Sequence, residues 1–510
     1  SRGLGDVYKR QNRKIGEDFE LGAMVGHSFL KTRSRTSYID AQNYPSPAFD
    51  VASVAANIVD ASAGLSEYAI ESYFARLSLA YKDRYVVNAT IRTDGSSRFA
   101  PDCRWGWFPS VSVGWNVSNE SFWNAEKTDL KIRASYGRTG NQDGISNYGW
   151  QALISGGVNY GGQSGIAISS SGNDRLTWET ADQYNAGFDL SFLGGKINMI
   201  ADVYLKNTNN LLYSKPVHAT TGETSILSNI GSMRNKGVEF TINTHLNLGK
   251  VLWSSSFNIA RNVNKLTSLL EDDLLSIGAN RALKLGRTVG SWYIFRTDGI
   301  YQYDGEVPQA LYDKGVRAGD VKYWDRNGDG NITDDDRIVT GNPNPKFSGG
   351  WNNTFKYKGL ELSLFFTYSY GNDVYASWMI HGSKPGYTRS LLKAYADNRW
   401  TGPGTSDKYP RAIYSYSGWN GKNSTMYLTD GSFIRLRSVT LGYTFPQRLV
   451  SKIHLKGLRV YAQGDNVFLC SRYPGWDPET SVNLDPRFYG EDNDGVPQPR
   501  IFKLGVNITF

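Results

Sequence analysis

Alternation with a period of two, repeated segment after segment, is the feature that most constrains how this chain folds. In 501–510, Phe502, Leu504, Val506, Ile508 and Phe510 share one parity, and Lys503, Gly505, Asn507 and Thr509 the other. Leu360, Leu362, Leu364, Phe366 and Tyr368 alternate in the same way with Glu361, Ser363, Phe365, Thr367 and Ser369. So do Ile197, Met199, Ala201, Val203 and Leu205 with Asn198, Asp202 and Lys206. About fourteen such segments occur, each roughly 9–15 residues long, near or above the length a tilted membrane-crossing strand needs. They lie near 18–31, 70–82, 84–95, 106–117, 128–138, 180–192, 195–206, 234–247, 251–263, 346–357, 359–370, 430–444, 456–467 and 499–510. A soluble sandwich strand shows the same pattern, because one of its faces packs on a core. The number of recurrences argues for a larger closed sheet.

The connections supply an independent test. Read backward from Phe510, they alternate long and short. The long ones lie near 468–498, 371–429, 264–345, 207–233, 139–179 and 32–69. The short ones are Tyr357-Lys358-Gly359, Asn247-Leu248-Gly249-Lys250, Leu193-Gly194-Gly195 and Lys82-Asp83-Arg84, with 118–128 and 446–456 intermediate. Outer-membrane barrels keep short turns in the periplasm and long loops outside, and a propeller or sandwich has no reason to hold that parity. The fold expected is therefore all-β, a transmembrane antiparallel β-barrel. One strand breaks phase. In 433–445 the apolar Val439, Leu441, Tyr443 and Phe445 share parity with Arg435 and Arg437, which calls for a bulge or a wall that continues beyond the hydrocarbon.

Composition agrees with many short strands and aromatic girdles. The chain holds 32 Tyr, 22 Phe, 14 Trp and 54 Gly but only 17 Pro. Apolar residues are 40% of the 510 and no run reaches the length of a transmembrane helix. The net charge of +8 is scattered along the chain rather than gathered in a stripe, which gives nucleic-acid binding little support. Cys103 and Cys470 lie far apart without metal-ligand spacing, and isolated thiols are expected. The opening residues SRGLGDVYKRQ lack the apolar region of a signal peptide, although an exported protein needs one. Residues 1–17 therefore read as an atypical leader, and the native N-terminus is expected to be missing.

The most specific local motif is the loop Asp325, Asn327, Asp329, Gly330, Asn331, Thr333, Asp336. Oxygen side chains at positions 1, 3 and 5, Gly at 6 and a carboxylate at 12 fit an EF-hand-like Ca2+ loop that would stiffen the long connection 264–345. Asp at position 12 reaches less far than Glu, and a plain Asp/Asn/Gly turn is the competing reading. Aromatic residues in a long loop, Tyr414, Tyr416 and Trp419, are candidates for stacking on a ligand, although loop packing is the more frequent role of such residues. Enzyme signals are poor: five His, and no HExxH, GxSxG or Walker loop.

Several stretches resemble the SusC/RagA-type TonB-linked outer-membrane proteins. They are Ser72–Arg76, Arg92-Thr-Asp94 through Arg98-Phe99, Phe108 through Trp115, and Leu130 through Gly137 with Gly140-Asn141-Gln142. Asn235-Lys-Gly237-Val-Glu239, the 325–336 loop with Gly341 through Pro345, Ser432 through Arg437, and Asp477-Pro478-Glu479 continue the series. The resemblance spans about residues 18–510 and implies a barrel of about 22 strands closed by an N-terminal plug. About 14 of those strands are legible here, and the plug is missing. It further implies import of glycans or peptides with a SusD-like surface lipoprotein, energy from the TonB system through the plug, and a place in the bacterial outer membrane among its lipids. The terminal residues Val506, Ile508 and Phe510 resemble the signal read by barrel-assembly machinery. A passive porin-like barrel and a secreted calcium-dependent glycan-binding β-protein are the competing functions.

Overall fold

The computed structural model describes residues 2–124, 127–218, 220, 222–223, 225–269, 273–385, 390–413 and 418–510. Fifteen strands follow one another in strict chain order in a single hydrogen-bonded sheet. They are β1 (Arg2–Ile15), β2 (Phe19–Gln42), β3 (Asn57–Tyr81), β4 (Tyr85–Ser96), β5 (Trp105–Asn116), β6 (Thr128–Asn141), β7 (Glu179–Phe192) and β8 (Ile197–Asn209). Then come β9 (Gly231–Leu248), β10 (Val251–Leu269), β11 (Phe347–Tyr357), β12 (Leu360–Tyr370), β13 (Phe433–Thr444), β14 (Gly457–Ser471) and β15 (Ile501–Thr509). No helix among the described residues is long and apolar enough to cross a membrane.

Periodicity leads to about fourteen strands; the additional one is β1. Residues 2–15, read from the sequence as an atypical leader, lie antiparallel to Phe19–Thr32. The register sets Lys9 beside Val25, Gln11 beside Ala23 and Arg13 beside Leu21. Charge thus faces out where the neighbouring strands are apolar, which explains why alternation does not reveal this strand. β2 and β3 also run well past their expected limits of 31 and 70. Arg35–Gln42 and Asn57–Leu65 pair only with each other, as a two-stranded ribbon within the connection expected as a loop. With both faces largely exposed over that stretch, the ribbon has no apolar side to announce it.

The contacts divide the chain into two compact units: 1–123 with 131–186 and 205–233, and 124–130 with 187–204 and 234–510. In the first, β2 to β5 carry one continuous apolar face. Leu21, Ala23 and Val25 lie beside Leu79, Leu77 and Ala75; these lie beside Val87, Ala89 and Ile91, and those beside Val113, Val111 and Pro109. Aromatic rows bound the band. At the short-turn end Phe19, Tyr81, Tyr85 and Trp115 form a chain of rings with centroids 4.5, 6.4 and 6.3 Å apart. At the other end His27, Tyr73 and Trp105 stand 4.8 and 6.1 Å apart. Tyr73 and Tyr81 are eight residues apart, roughly 27 Å along a strand, or about 20 Å once the strand tilts. That approximates the apolar height of a membrane barrel. The opposite face carries Ser72, Ser78, Asn88, Thr90, Arg92, Asp94, Ser110 and Ser112.

The second unit repeats the scheme over β12 to β15. Leu360, Leu362 and Leu364 lie beside Tyr443, Leu441 and Val439, then Val460, Ala462 and Gly464, then Val506, Leu504 and Phe502. Lys503 projects from the other face, where its Nζ donates to Asp465 Oδ2 at 2.7 Å. Lys358 and Gly359 (φ +47° and +87°) make the two-residue turn between β11 and β12, the type I′ geometry that suits a twisted hairpin. The phase break in β13 is a bulge. Phe365 pairs with Ser438 and Phe366 with Leu436, so Arg437 is the extra residue. Beyond it parity reverses: Ile434 and Leu436 join the apolar face, and Arg435 joins Thr367 on the polar one.

The apolar face has a direct test. Val439→Arg, about mid-height on that face, is expected to cost about 2–4 kcal/mol, whereas Thr440→Arg on the polar face should stay within about 0.5 kcal/mol. Urea unfolding of the chain in lipid vesicles, followed by Trp fluorescence, measures both.

Candidate functional site

The long connections of the second unit fold together into a consolidated assembly. Trp292–Phe295 pairs with Arg337–Thr340, both from the connection between β10 and β11. Asp373–Ala376 pairs antiparallel with Leu428–Asp430 and parallel with Glu491–Asp492, which joins the next two connections. The core beneath draws Trp292 and Ile294 from the first, Val374, Tyr375, Met379, Ile380 and Tyr427 from the second, and Tyr473 from the third. A neighbouring core gathers Phe295, Ile300, Tyr301, Val307, Leu311, Val321 and Tyr323, with Trp400 and Trp419 packed against it. Each such side chain contributes roughly 1.5–3 kcal/mol on burial, enough to hold irregular backbone in one shape.

Buried charges tie the assembly to the sheet. Arg435, on the polar face just before the bulge, is 3% exposed and donates through Nη2 to Asp477 Oδ1 at 2.6 Å. Its Nε lies 2.8 Å from Glu479 Oε2, and the extra residue of the bulge, Arg437, reaches the other oxygen of Glu479. The bulge therefore supplies two cations to one acidic pair at the root of the last long loop. Arg281 is fully buried; it donates to the carbonyls of Gly290, Phe488 and Tyr489 and stacks on Trp292 with 4.1 Å between Cζ and the ring centroid. Burial lowers the pKa of its guanidinium, partly offset by Glu491 at 3.9 Å. Asp320 accepts a two-pronged bond from Arg411 at 2.8 and 3.0 Å and another from Asn420 at 3.0 Å. Burial pushes the Asp373 carboxyl up, and that of Tyr473 raises its phenol, which donates to Asp492.

The first unit has its own anchors. Arg138 grips Asp182 at 2.8 and 3.0 Å, and Tyr136 donates to the same carboxylate at 2.8 Å. Phe99, Phe108, Ile145, Leu176 and Trp178 form a core under the loops. A Cβ on Gly106 or Gly140 would come within 2.4 Å of the Phe108 ring, so these glycines let the strands close over it. The stretches that carry the family resemblance thus do identifiable packing work.

The acidic loop is shaped by its own hydrogen bonds. Asp325 accepts from the amides of Gly328 at 2.7 Å and Gly330 at 2.8 Å, and Asp329 from that of Asn331 at 2.7 Å. Asn327 accepts from the Asp329 amide and donates to its carboxylate. Asp336, with 0% exposure, accepts from the amides of Arg326 and Thr333 and closes a capping box with Thr333. The Asn331 side-chain oxygen Oδ1 accepts from the Lys314 ammonium at 2.7 Å. Among the described residues no group of three or more His, Cys, Asp or Glu comes together to hold a metal ion.

Of the aromatic candidates, Tyr414 and Tyr416 lie outside the described residues. Trp419 is half-buried; its indole N–H donates to the Val321 carbonyl at 2.9 Å and its ring meets Tyr323 edge-on. Val506, Ile508 and Phe510 are exposed at the chain's end, with Phe510 79% accessible. Cys103 and Cys470 are free thiols. Sequence reasoning missed Arg281 and the Asp320–Arg411 pair: apart from Gly290, their partners lie far along the chain and leave no local spacing.

The family model described as "TonB dependent receptor-like, beta-barrel" matches residues 3–331. The chain belongs to that family. It is 30% identical to TonB-dependent receptor P3 of Formosa agariphila, over 99% of this chain and 52% of the relative. It is 31% identical to TonB-dependent receptor SusC of Bacteroides thetaiotaomicron, over 86% of this chain and 43% of the relative. The solved RagAB peptide transporter superposes with a TM-score of 0.85 at 23% identity, covering all of this chain and 56% of that one, a likeness of fold. The receptor-family chain thus spans about half the length of the curated relatives it matches. It is an outer-membrane β-barrel protein of the TonB-dependent receptor family.

Arg435→Ala would leave Asp477 buried without its cation. The expected cost is about 3–5 kcal/mol, localised to residues 472–500, and hydrogen exchange across that loop reads it. Asp477→Asn keeps a neutral acceptor and should cost less.

Proposed function

We propose that this chain is the C-terminal wall and loop portion of a SusC/RagA-like importer of oligomeric nutrients, glycans or peptides. It would work with a SusD-like surface lipoprotein, and N-terminal segments would supply the plug that TonB pulls. The observation that carries this reading is similarity along 99% of the chain to about half of a TonB-dependent receptor. The relative named SusC and the RagAB structure titled a peptide transporter support the two substrate classes. A consolidated loop assembly, with three connections sharing one core, suits a surface that must hold a large solute and face a protein partner.

The test is uptake by cells that carry the complete gene. Labelled oligosaccharides or peptides should enter in a TonB-dependent manner, and replacing 273–345 by a short turn should abolish uptake while the barrel still migrates heat-modifiably. Uptake that persists after TonB is disrupted points instead to a passive pore.

Ca2+ at the 325–336 loop is a further part of the proposal. Asp325, Asn327 and Asp329 present side-chain oxygens at alternate positions, Asn331 would add its backbone carbonyl and Thr333 its side chain, and Asp336 closes the set, while the Lys314 ammonium occupies only the Asn331 side chain. If the ion binds, Ca2+ protects the loop from proteolysis, and protection is lost in the Asp325→Ala/Asp329→Ala double variant. Equal resistance with and without Ca2+ in the unmodified chain leaves a turn alone.

A further inference from the structure

Two carboxylates face each other where the loop assembly of the second unit leaves the wall. β12 ends at Tyr370 and β13 begins at Phe433; beyond them the same two chain segments pair again, as Asp373–Ala376 with Leu428–Asp430. The short breaks between wall and loop are held together. The Gly431 amide donates to the Asn372 carbonyl at 2.8 Å, and the Gly371 amide donates to Ser432 Oγ at 2.9 Å. Immediately above, the register sets Asp373 opposite Asp430. The Asp373 amide donates to the Asn342 carbonyl at 2.8 Å and not across the pair. This is therefore the narrow, non-hydrogen-bonded kind of antiparallel pair, whose side chains stand closest. Like charges directly opposite on a sheet are destabilising.

Both carboxylates are tied into the joint. Asp373 Oδ2 accepts from the Asn342 amide at 2.8 Å, so reciprocal bonds fasten the connection 264–345 to this point. Asp430 Oδ1 accepts from the Ser432 amide at 2.9 Å and from its hydroxyl at 2.5 Å. The next residues along, Val374, Tyr375 and Ala376, belong to the core that three connections share. Two charged groups act on Asp373: Asp430 across the pair and Lys346 from the entry to β11. On the parallel strand, Glu491 stands beside Tyr375 with Arg281 3.9 Å away, and Asp492 stands beside Ala376 and takes the Tyr473 hydroxyl. Burial pushes the Asp373 carboxyl up and the Asn342 amide pulls it down; Asp430 adds to the rise and Lys346 reduces it, leaving it raised. Asp430 is exposed, so solvent protons reach the pair.

We propose that Asp373 and Asp430 form a proton-operated clasp between the wall and the loop assembly. A proton from solvent bonds to a carboxyl oxygen of Asp373, the pair passes from two negative charges to one, and the joint closes; loss of that proton loosens it. A carboxyl held above its ordinary value in the folded joint takes up a proton as the joint forms. Stability is therefore gained as pH falls through the raised value, in a window above the ordinary aspartate range, and lost as pH rises back through it. The assignment is independent of what the protein imports.

The test is hydrogen exchange, read by mass spectrometry on the full chain in detergent micelles between about pH 8 and about pH 5, with rates corrected for the intrinsic pH dependence of amides. Protection across 373–376 and 428–430 should rise as pH falls, by up to about fivefold. Asp430→Asn removes the facing charge, so protection at the alkaline end should rise and the pH dependence should shrink. Asp373→Asn keeps a carbonyl acceptor for the Asn342 amide and should hold the protected level at every pH. Either variant gives the readout if the other folds poorly. A pH profile in Asp430→Asn parallel to that of the unmodified chain overturns the proposal. So does protection in the unmodified chain that stays level or falls on acidification.

Discussion

A backbone that crosses lipid finds no water for its amides, so every N–H and C=O must be satisfied by a neighbouring strand. That requirement explains the strict chain order of the fifteen strands and the short turns that let each strand pair with the next. It also forces two chemistries onto each strand, apolar on one face and polar on the other, with aromatic rings where the solvent changes. The row Phe19, Tyr81, Tyr85, Trp115 is this boundary drawn across four strands.

Outside the membrane the governing balance is different. Irregular connections cannot lean on a ladder of hydrogen bonds, and here they acquire cores of their own. Trp292, Tyr375, Tyr427 and Tyr473 come from three separate connections, so none of the three is consolidated without the others. Buried ion pairs then fix where that core sits. Arg435 with Asp477 and Arg411 with Asp320 bring little net stability against well-packed apolar substitutes, but losing one partner is costly. Such pairs favour one geometry over its neighbours.

How legible this was depended on the length scale of the signal. The wall strands were readable because lipid imposes period two on consecutive residues, and Leu360–Tyr370 or Ile501–Thr509 display it without tertiary context. The ribbon that pairs Arg35–Gln42 with Asn57–Leu65 was hidden because both its sides are largely exposed, so its sequence carries no binary pattern. β1 was hidden because its outward residues include Lys9 and Arg13. Among site residues, the 325–336 loop could be found locally, since its Asx turns require Asp, Asn and Gly in a short span. The role of Trp419 as a packed ring bonded to Val321 depends on a segment about a hundred residues away. Arg281 is harder still: its carbonyl partners at 488 and 489 leave no mark in its own neighbourhood.

The extra residue at Arg437 means that β13 is written in two opposite codes. Before it, even-numbered positions meet the lipid; after it, odd-numbered ones do. Any scan that assumes one phase along the strand will misread one half as inverted, and any homologous strand aligned without the insertion will exchange inside for outside over several residues. A single inserted residue thus acts as a punctuation mark. It lets one continuous strand serve the membrane along one stretch and supply Arg435 to the loop root along the other.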